Sequence, residues 1–295
     1  MGSTPSVVRE DTNKPPAHTR LPWLTLLWFA VLLGICYAPV LQRLVRQWMN
    51  DQDMGHGFFV PLVAGYIAWR KRHEILSESP SPSGWGLLVV AFGAAQLYVA
   101  TLGAELFLAR TAFLISLVGV ILFLGGARYV RLLAFPLVLL CFMVPIPAIL
   151  YNQITFPLQL LASRLAEASL SLMGIPVLRE GNVLELPNQT LNVVEACSGI
   201  RSLLSLSFLS LVFAYFFDGK VWMRPALLVA TVPIAIAANA SRVTLTGLLG
   251  QYDPELAEGF FHAASGWVIF LVALAILAIT HLLINRIHRG LHARR

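Results

Sequence analysis

Three side chains with reactive chemistry stand far apart in this 295-residue chain. Cys197 lies in Val193-Val194-Glu195-Ala196-Cys197-Ser198-Gly199-Ile200-Arg201-Ser202, Arg242 in Asn239-Ala240-Ser241-Arg242, and His262 in Phe261-His262-Ala263-Ala264-Ser265-Gly266-Trp267. A thiol, a guanidinium and an imidazole together support acyl transfer. The thiolate attacks a carbonyl carbon, the histidine moves protons, and the cation stabilises the oxyanion. A cysteine at the start of a helix and near a cation has a lowered pKa, which enlarges its thiolate fraction. Histidine titrates near neutral pH, so it can protonate a leaving amine. Each residue alone also has a structural reading. The cysteine can be a small filler, as Cys36 and Cys141 are read to be. Arg242 can snorkel outward or pair with Glu195 or Asp253, and His262 can be an interfacial anchor.

The elements that must position these residues are membrane helices. The chain is 57% hydrophobic and only 12% charged, with a mean hydropathy of +0.73. Soluble globular chains carry about 25% charged residues. Long apolar runs recur from Leu21 to Ile284, and crossing a bilayer takes roughly 20 such residues. The composition therefore excludes an ordinary soluble protein and implies an all-α polytopic membrane protein. Spans are expected at about 22–41, 56–70, 84–102, 104–125, 131–150, 199–217, 225–247 and 264–285, eight in all, the second being short. The first run is as long as a full span and has no A-x-A-like site after it, so it is read as an anchor and not a cleaved signal.

Charge placement sets the orientation, because Lys and Arg accumulate in cytoplasmic loops. An N-in/C-in arrangement puts Arg9, Lys14 and Arg20, then Arg70, Lys71 and Arg72, Arg128 and Arg131, Lys220 and Arg224, and Arg286, Arg289, Arg294 and Arg295 on the inner side. The loop 248–263 then lies outside with three acids and no Lys or Arg. Arg43, Arg46, Arg164 and Arg179 fall in outer segments against the rule. On this reading the net charge of +6 belongs to membrane orientation and not to a nucleic-acid partner. Residues 1–20 form a disordered cytoplasmic tail, 21–290 one transmembrane domain with an outer insertion at 151–197, and 291–295 a basic cytoplasmic tail. The three cysteines include no C-x-x-C pair, so neither a disulfide framework nor a metal site is expected, and no cofactor is implied.

The insertion differs from the rest of the chain. Pro145 and Pro147 end the fifth span. Residues 154–174 carry Leu158, Leu161, Leu165 and Leu172 near helical spacing, which suggests an amphipathic helix in the outer interface. Alternation over Val183–Leu186 and Thr190–Val194 around Pro187-Asn188-Gln189 predicts a small β-hairpin before the sixth span. Such backbone cannot face lipid unsatisfied and belongs in the outer aqueous phase or on protein. In this topology Cys197 stands at the outer entrance of the sixth span and His262 at the outer entrance of the eighth. Arg242 lies about 8 Å inside the outer end of the seventh. All three come to one depth.

Those motifs, in that order, resemble the exosortase/archaeosortase family. Glu195 to Ser202, Asn239 to Arg242 and His262 to Trp267 carry the likeness, with further similarity in His56-Gly57-Phe58, Trp69-Arg70, Phe135-Pro136, Pro145-Ile146-Pro147, Gly181 and Leu186-Pro187. The similarity covers roughly residues 20–290. It implies a cysteine transpeptidase of the bacterial inner membrane with its active site on the periplasmic side. Its substrates would be exported, membrane-anchored proteins with a C-terminal signal made of a Pro-Glu-Pro motif, a membrane helix and a basic tail. On that match Cys197 is the nucleophile, Arg242 the oxyanion or thiolate stabiliser and His262 the general acid/base. Some members carry an additional C-terminal domain. This chain stops about ten residues after its last span, so no such activity is expected here.

Around this set, Arg201 is either a second cation or the partner of Glu195, and Asn239 shares the motif of Arg242. Arg110 either meets the acidic substrate motif or pairs with Glu105. His56 either orders the first outer loop or touches substrate. Alternatives at the level of function are a membrane peptidase that only hydrolyses, a transporter or polysaccharide-export subunit, and an outer thiol redox protein. Transporters tend to show related halves and polar groups near the midplane, whereas here the polar groups gather at the outer end. A redox protein would want a second nearby cysteine. The acceptor molecule is left open by the sequence.

Overall fold

A computed structural model describes residues 23–193, 199–252 and 259–292. The chain divides into two compact units, Met1–Leu44 with Pro61–Cys141, and Val45–Val60 with Phe142–Arg295. In chain order the helices are α1 (Trp23–Asn50), α2 (Phe59–Arg70), α3 (Arg72–Ser77), α4 (Trp85–Leu102), α5 (Leu106–Gly125), α6 (Ala127–Leu132), α7 (Ala134–Leu139), α8 (Ala148–Leu172), α9 (Ile200–Phe217), α10 (Met223–Tyr252) and α11 (Gly259–His292). Short 3-10 helices at Gln52–Phe58 and Leu140–Met143 interrupt them.

In the first unit α4 and α5 form the tightest pair. Gly86, Gly93, Ser116 and Gly119 let the two backbones meet, as small residues do between membrane helices. Tyr37 of α1 hydrogen-bonds Ser116 Oγ at 2.8 Å and donates to the Ala112 carbonyl at 3.2 Å, which satisfies its buried hydroxyl. Arg110 is buried in α5, 4% exposed, and the nearby charge of Glu105 acts on it. Glu105 also caps α5 by accepting from the Leu108 amide at 2.7 Å. Cys36 and Cys141 lie exposed and fill no core gap, contrary to their expected role as fillers. A thiol on a helix face that meets lipid needs no cavity.

The second unit holds α8 to α11 and a three-stranded antiparallel sheet, β1 (Leu178–Glu180), β2 (Val183–Leu186) and β3 (Gln189–Asn192), in the order β1-β2-β3. The expected hairpin is β2–β3. The sequence reading missed β1, because three residues give too little alternation to detect. One sheet face is built into the core: Leu184 and Leu186 pack with Ala162, Ala166 and Leu170 of α8 and Val243 of α10. A second core joins Leu206 and Ala214 of α9, Leu227 and Ala235 of α10, and Ala273 and Leu277 of α11.

The span count departs from eight. Among the described residues, six helices are long and apolar enough to cross a membrane: Leu24–Asn50, Trp85–Leu102, Leu106–Gly125, Ile200–Phe217, Met223–Gln251 and Ala264–Leu291. A seventh exists if Ala134–Met143 and Ala148–Leu172, bent by 81°, count as one broken span. The expected second span at 56–70 fails on length, because α2 has only 12 residues. The expected fifth at 131–150 is broken into α6, α7 and a 3-10 turn before Pro145 and Pro147. A helix covers the residues expected to form the interfacial one but starts earlier, at Ala148. Thr155, Gln159, Ala162, Ser163, Ala166 and Leu170 form the buried stripe, while Leu161, Leu165 and Leu172 are exposed. Small residues inside and leucines outside suit a helix whose outer face meets lipid.

Candidate functional site

The candidate site is built around one turn of α10. Asn239 and Arg242 are three residues apart and so share a helix face. Asn239 is buried at 6% exposure. Gly199, which caps the N-terminus of α9, sits against it with φ +80°. A β-carbon on Gly199 would stand 2.8 Å from Asn239 Cβ and Cγ. Both the left-handed backbone and the close approach therefore call for glycine at this point. Three residues along α10, the Arg242 guanidinium lies against Gly266 of α11, its Cζ 3.4 Å from where a β-carbon there would be. The turn is itself the second sequence motif, and Gly199 of the first and Gly266 of the third both border it.

Cys197 and Glu195 lie outside the described residues. His262 falls in the first turn of α11, with its side chain outside the described set. His262 and Gly266 are four residues apart and share a face of that helix.

Beside Arg242 a small hollow opens, lined by Leu191, Asn192 and Val193 from the end of β3 and by Arg242, Val243 and Thr246 of α10. The side chain of Gln189, at the start of β3, donates to the Gly247 carbonyl at 3.1 Å, and Asn188 donates to that of Gln251 at 3.1 Å. These bonds fix the sheet to the same helix that carries Arg242.

Arg201, in the first turn of α9, has a partner the sequence reading did not name. Its Nε donates to Asp53 Oδ1 at 2.8 Å. A cation in the first turn opposes the helix dipole, so a carboxylate at that point offsets a real cost. Asp53 also accepts from the Tyr151 hydroxyl of α8, and its own amide donates to Asp51 at 2.9 Å. His56, three residues on, lies over Phe208 of α9 with ring centroids 6.3 Å apart. Burial pushes its imidazole below the usual histidine range, against hydrogen bonds to the Phe142 and Asp53 backbone. The glycine that follows, Gly57, leaves the space that the Trp48 ring occupies, and Trp48 Nε1 donates to the Met143 carbonyl at 3.0 Å. The segment 51–58 is thereby docked on the start of α9. Asp53 and Tyr151 were legible only as an acidic residue three before His56 and an aromatic after Pro147. Arg110 belongs to the first unit and was described there.

Among the described residues no cluster of three His, Cys, Asp or Glu side chains has the arrangement of a metal site.

Comparison with known proteins gives one finding. Residues 48–279 match the model of a protein family described as transmembrane exosortase. No curated protein and no solved structure matches the chain.

Proposed function

Because the chain belongs to the transmembrane exosortase family, we propose that it is a membrane-embedded cysteine peptidase and transpeptidase. It acts on exported, membrane-anchored proteins and cleaves at a C-terminal Pro-Glu-Pro sorting signal. Cys197 is the nucleophile, Arg242 the cation that stabilises developing negative charge, and His262 the acid/base. The observation that carries this reading is the meeting of three motifs on one turn of α10. Gly199, two residues after Cys197, rests on Asn239, and Gly266, on the face of α11 that His262 shares, rests on Arg242.

The reaction has two steps. The Cys197 thiolate attacks the carbonyl carbon of the scissile peptide bond, and the oxyanion that forms is stabilised by the Arg242 guanidinium. Collapse breaks the C–N bond as His262 gives a proton to the leaving amine, releasing the helix-and-tail fragment and leaving a thioester. His262, now neutral, takes a proton from the incoming acceptor, which attacks the thioester carbonyl and restores the thiolate. The acceptor is an amine or hydroxyl for transfer and water for hydrolysis. The N-terminus of α9 favours the thiolate electrostatically. Arg201 adds positive charge nearby, held in place by Asp53. The proposed site opens on the periplasmic side of the bacterial inner membrane.

The test is co-expression with a membrane-anchored substrate that carries a Pro-Glu-Pro signal. Wild-type protein should shorten the substrate, and mass spectrometry of the new C-terminus separates transfer from hydrolysis. Substrate left at full length by wild-type protein would contradict the reading.

A further inference from the structure

We propose that the outer edge of β3 is the substrate-docking strand, and that the segment around the Pro-Glu-Pro motif adds to the sheet as a fourth strand. This rests on the function proposed above.

The register decides which backbone groups are available. Val193 donates to the Asn182 carbonyl at 2.9 Å, so Val193 faces β2. Hydrogen-bonded and non-bonded positions alternate along an antiparallel pair. With Leu184 opposite Leu191 and Val183 opposite Asn192, Gln189 and Leu191 also face β2. The N–H and C=O groups of Thr190 and Asn192 then point to the other edge. Among the described residues no backbone hydrogen bond occupies them, and both residues are exposed. An unpaired strand edge is a template for an extended peptide.

Three observations select a peptide substrate as the occupant. First, the hollow at this end of the sheet is shared between Leu191, Asn192 and Val193 and the turn of α10 that carries Arg242. Second, Cys197 is five positions after Asn192, which keeps its backbone within about 18 Å of the edge even if the chain is fully extended. Third, β3 has four residues, a length of about 13 Å. That is enough for two pairs of main-chain bonds to a short peptide. A strip of that length and one strand spacing wide, about 5 Å, falls well short of the area of about 1,200 Å² that a stable interface between two copies of the chain needs.

The edge also explains what a Pro-x-Pro sequence can do there. Proline has no N–H, so prolines are tolerated in a strand only where that position faces away from the partner. In a Pro-Glu-Pro segment the two prolines sit at alternate positions. Both can face outward while the central residue gives its N–H and C=O to β3. The prolines then block any further strand from pairing on the new edge.

The experiment uses detergent-solubilised full-length protein and a synthetic peptide carrying the Pro-Glu-Pro motif and its following membrane helix. N-methylation of the central glutamate amide should raise KM about twofold to twelvefold, the loss of one main-chain hydrogen bond, with kcat within twofold. Thr190→Pro and Asn192→Pro, which remove the edge donors and leave the β2 pairing intact, should raise KM similarly for the unmodified peptide. In those variants the N-methyl penalty should shrink, because the two changes remove the two reciprocal bonds of a strand pair, which form together. An unchanged KM for the N-methylated peptide on wild-type protein would overturn the docking strand while leaving the catalytic reading intact. That measurement decides the matter even if the proline variants fail to fold. Unmodified peptide that wild-type protein does not cleave overturns the function itself, and the docking strand with it.

Discussion

At its C-terminal end α9 runs into Asp218, and at its N-terminal end it begins at Gly199 beside Arg201 and the Arg242 turn. Both ends hold charged groups close to apolar helices, yet they are built differently. The Asp218 carboxylate accepts from Asn285 Nδ2 at 2.7 Å, from the Lys220 amide at 2.8 Å and from His281 Nε2 at 3.0 Å. Lys220 Nζ in turn donates to Asn285 Oδ1 at 2.6 Å. The side chains of Asp218 and His281 are only 6% and 7% exposed. This set is closed: its groups satisfy one another and exclude water, which is how buried charge is tolerated for structure. At the other end the Arg201 side chain is 37% exposed, and Arg242 lines a hollow. A polar cluster that keeps an opening can receive a reacting group, and one that closes on itself cannot.

The sharpest way to break that contrast is to damage each end separately. Asp218→Ala leaves His281 and Lys220 without their shared carboxylate and should cost about 3–5 kcal/mol of stability, as removal of one partner from a buried pair does. Thermal unfolding in detergent reads this, and turnover per folded molecule should stay at the wild-type level. Arg242→Gln should do the reverse, lowering turnover about 10²–10³-fold with little change in the unfolding midpoint.

The pH response belongs to the closed end. Burial alone would raise the Asp218 carboxyl, but hydrogen bonds from Asn285, Lys220 and His281 and the Lys220 charge outweigh it and bring it down to about 2. A depressed carboxyl contributes stability that is present in full above its unfolded value of about 3.9 and lost as pH falls through its folded value. Acid unfolding of wild-type protein should therefore steepen below about pH 4, and Asp218→Asn should flatten that limb. The smallest effect is expected at the partly exposed Asp53–Arg201 pair. Asp53→Asn should change stability by about 1 kcal/mol or less and lower turnover a few-fold, with Asp53→Glu restoring part of the loss. Equal turnover and stability losses in Asp53→Asn would make the pair structural only.

Much of this arrangement is legible in the residues themselves. Hydropathy alone locates the long helices α1, α4, α5, α9, α10 and α11, because lipid demands continuous apolar runs. The turn residues around Pro187-Asn188 disclose the β2–β3 hairpin. What escapes is of two kinds. Apolar runs interrupted by proline, such as 131–150, look like one span until the backbone bends. Pairs of distant residues leave no local pattern: Asp53 and Arg201 are 148 positions apart and Asp218 and His281 are 63 apart. The three motifs are readable in the sequence as an ordered set. Their common seat on the Asn239–Arg242 turn is not, since it depends on the close approach to Asn239 that Gly199 permits.

The open end of α9 is worth calling a site only if Cys197 is the group that reacts there. Cys197→Ala, co-expressed with a substrate bearing the Pro-Glu-Pro signal, should insert and fold as wild type does and accumulate the full-length substrate. Processing by Cys197→Ala at the wild-type rate would contradict the account.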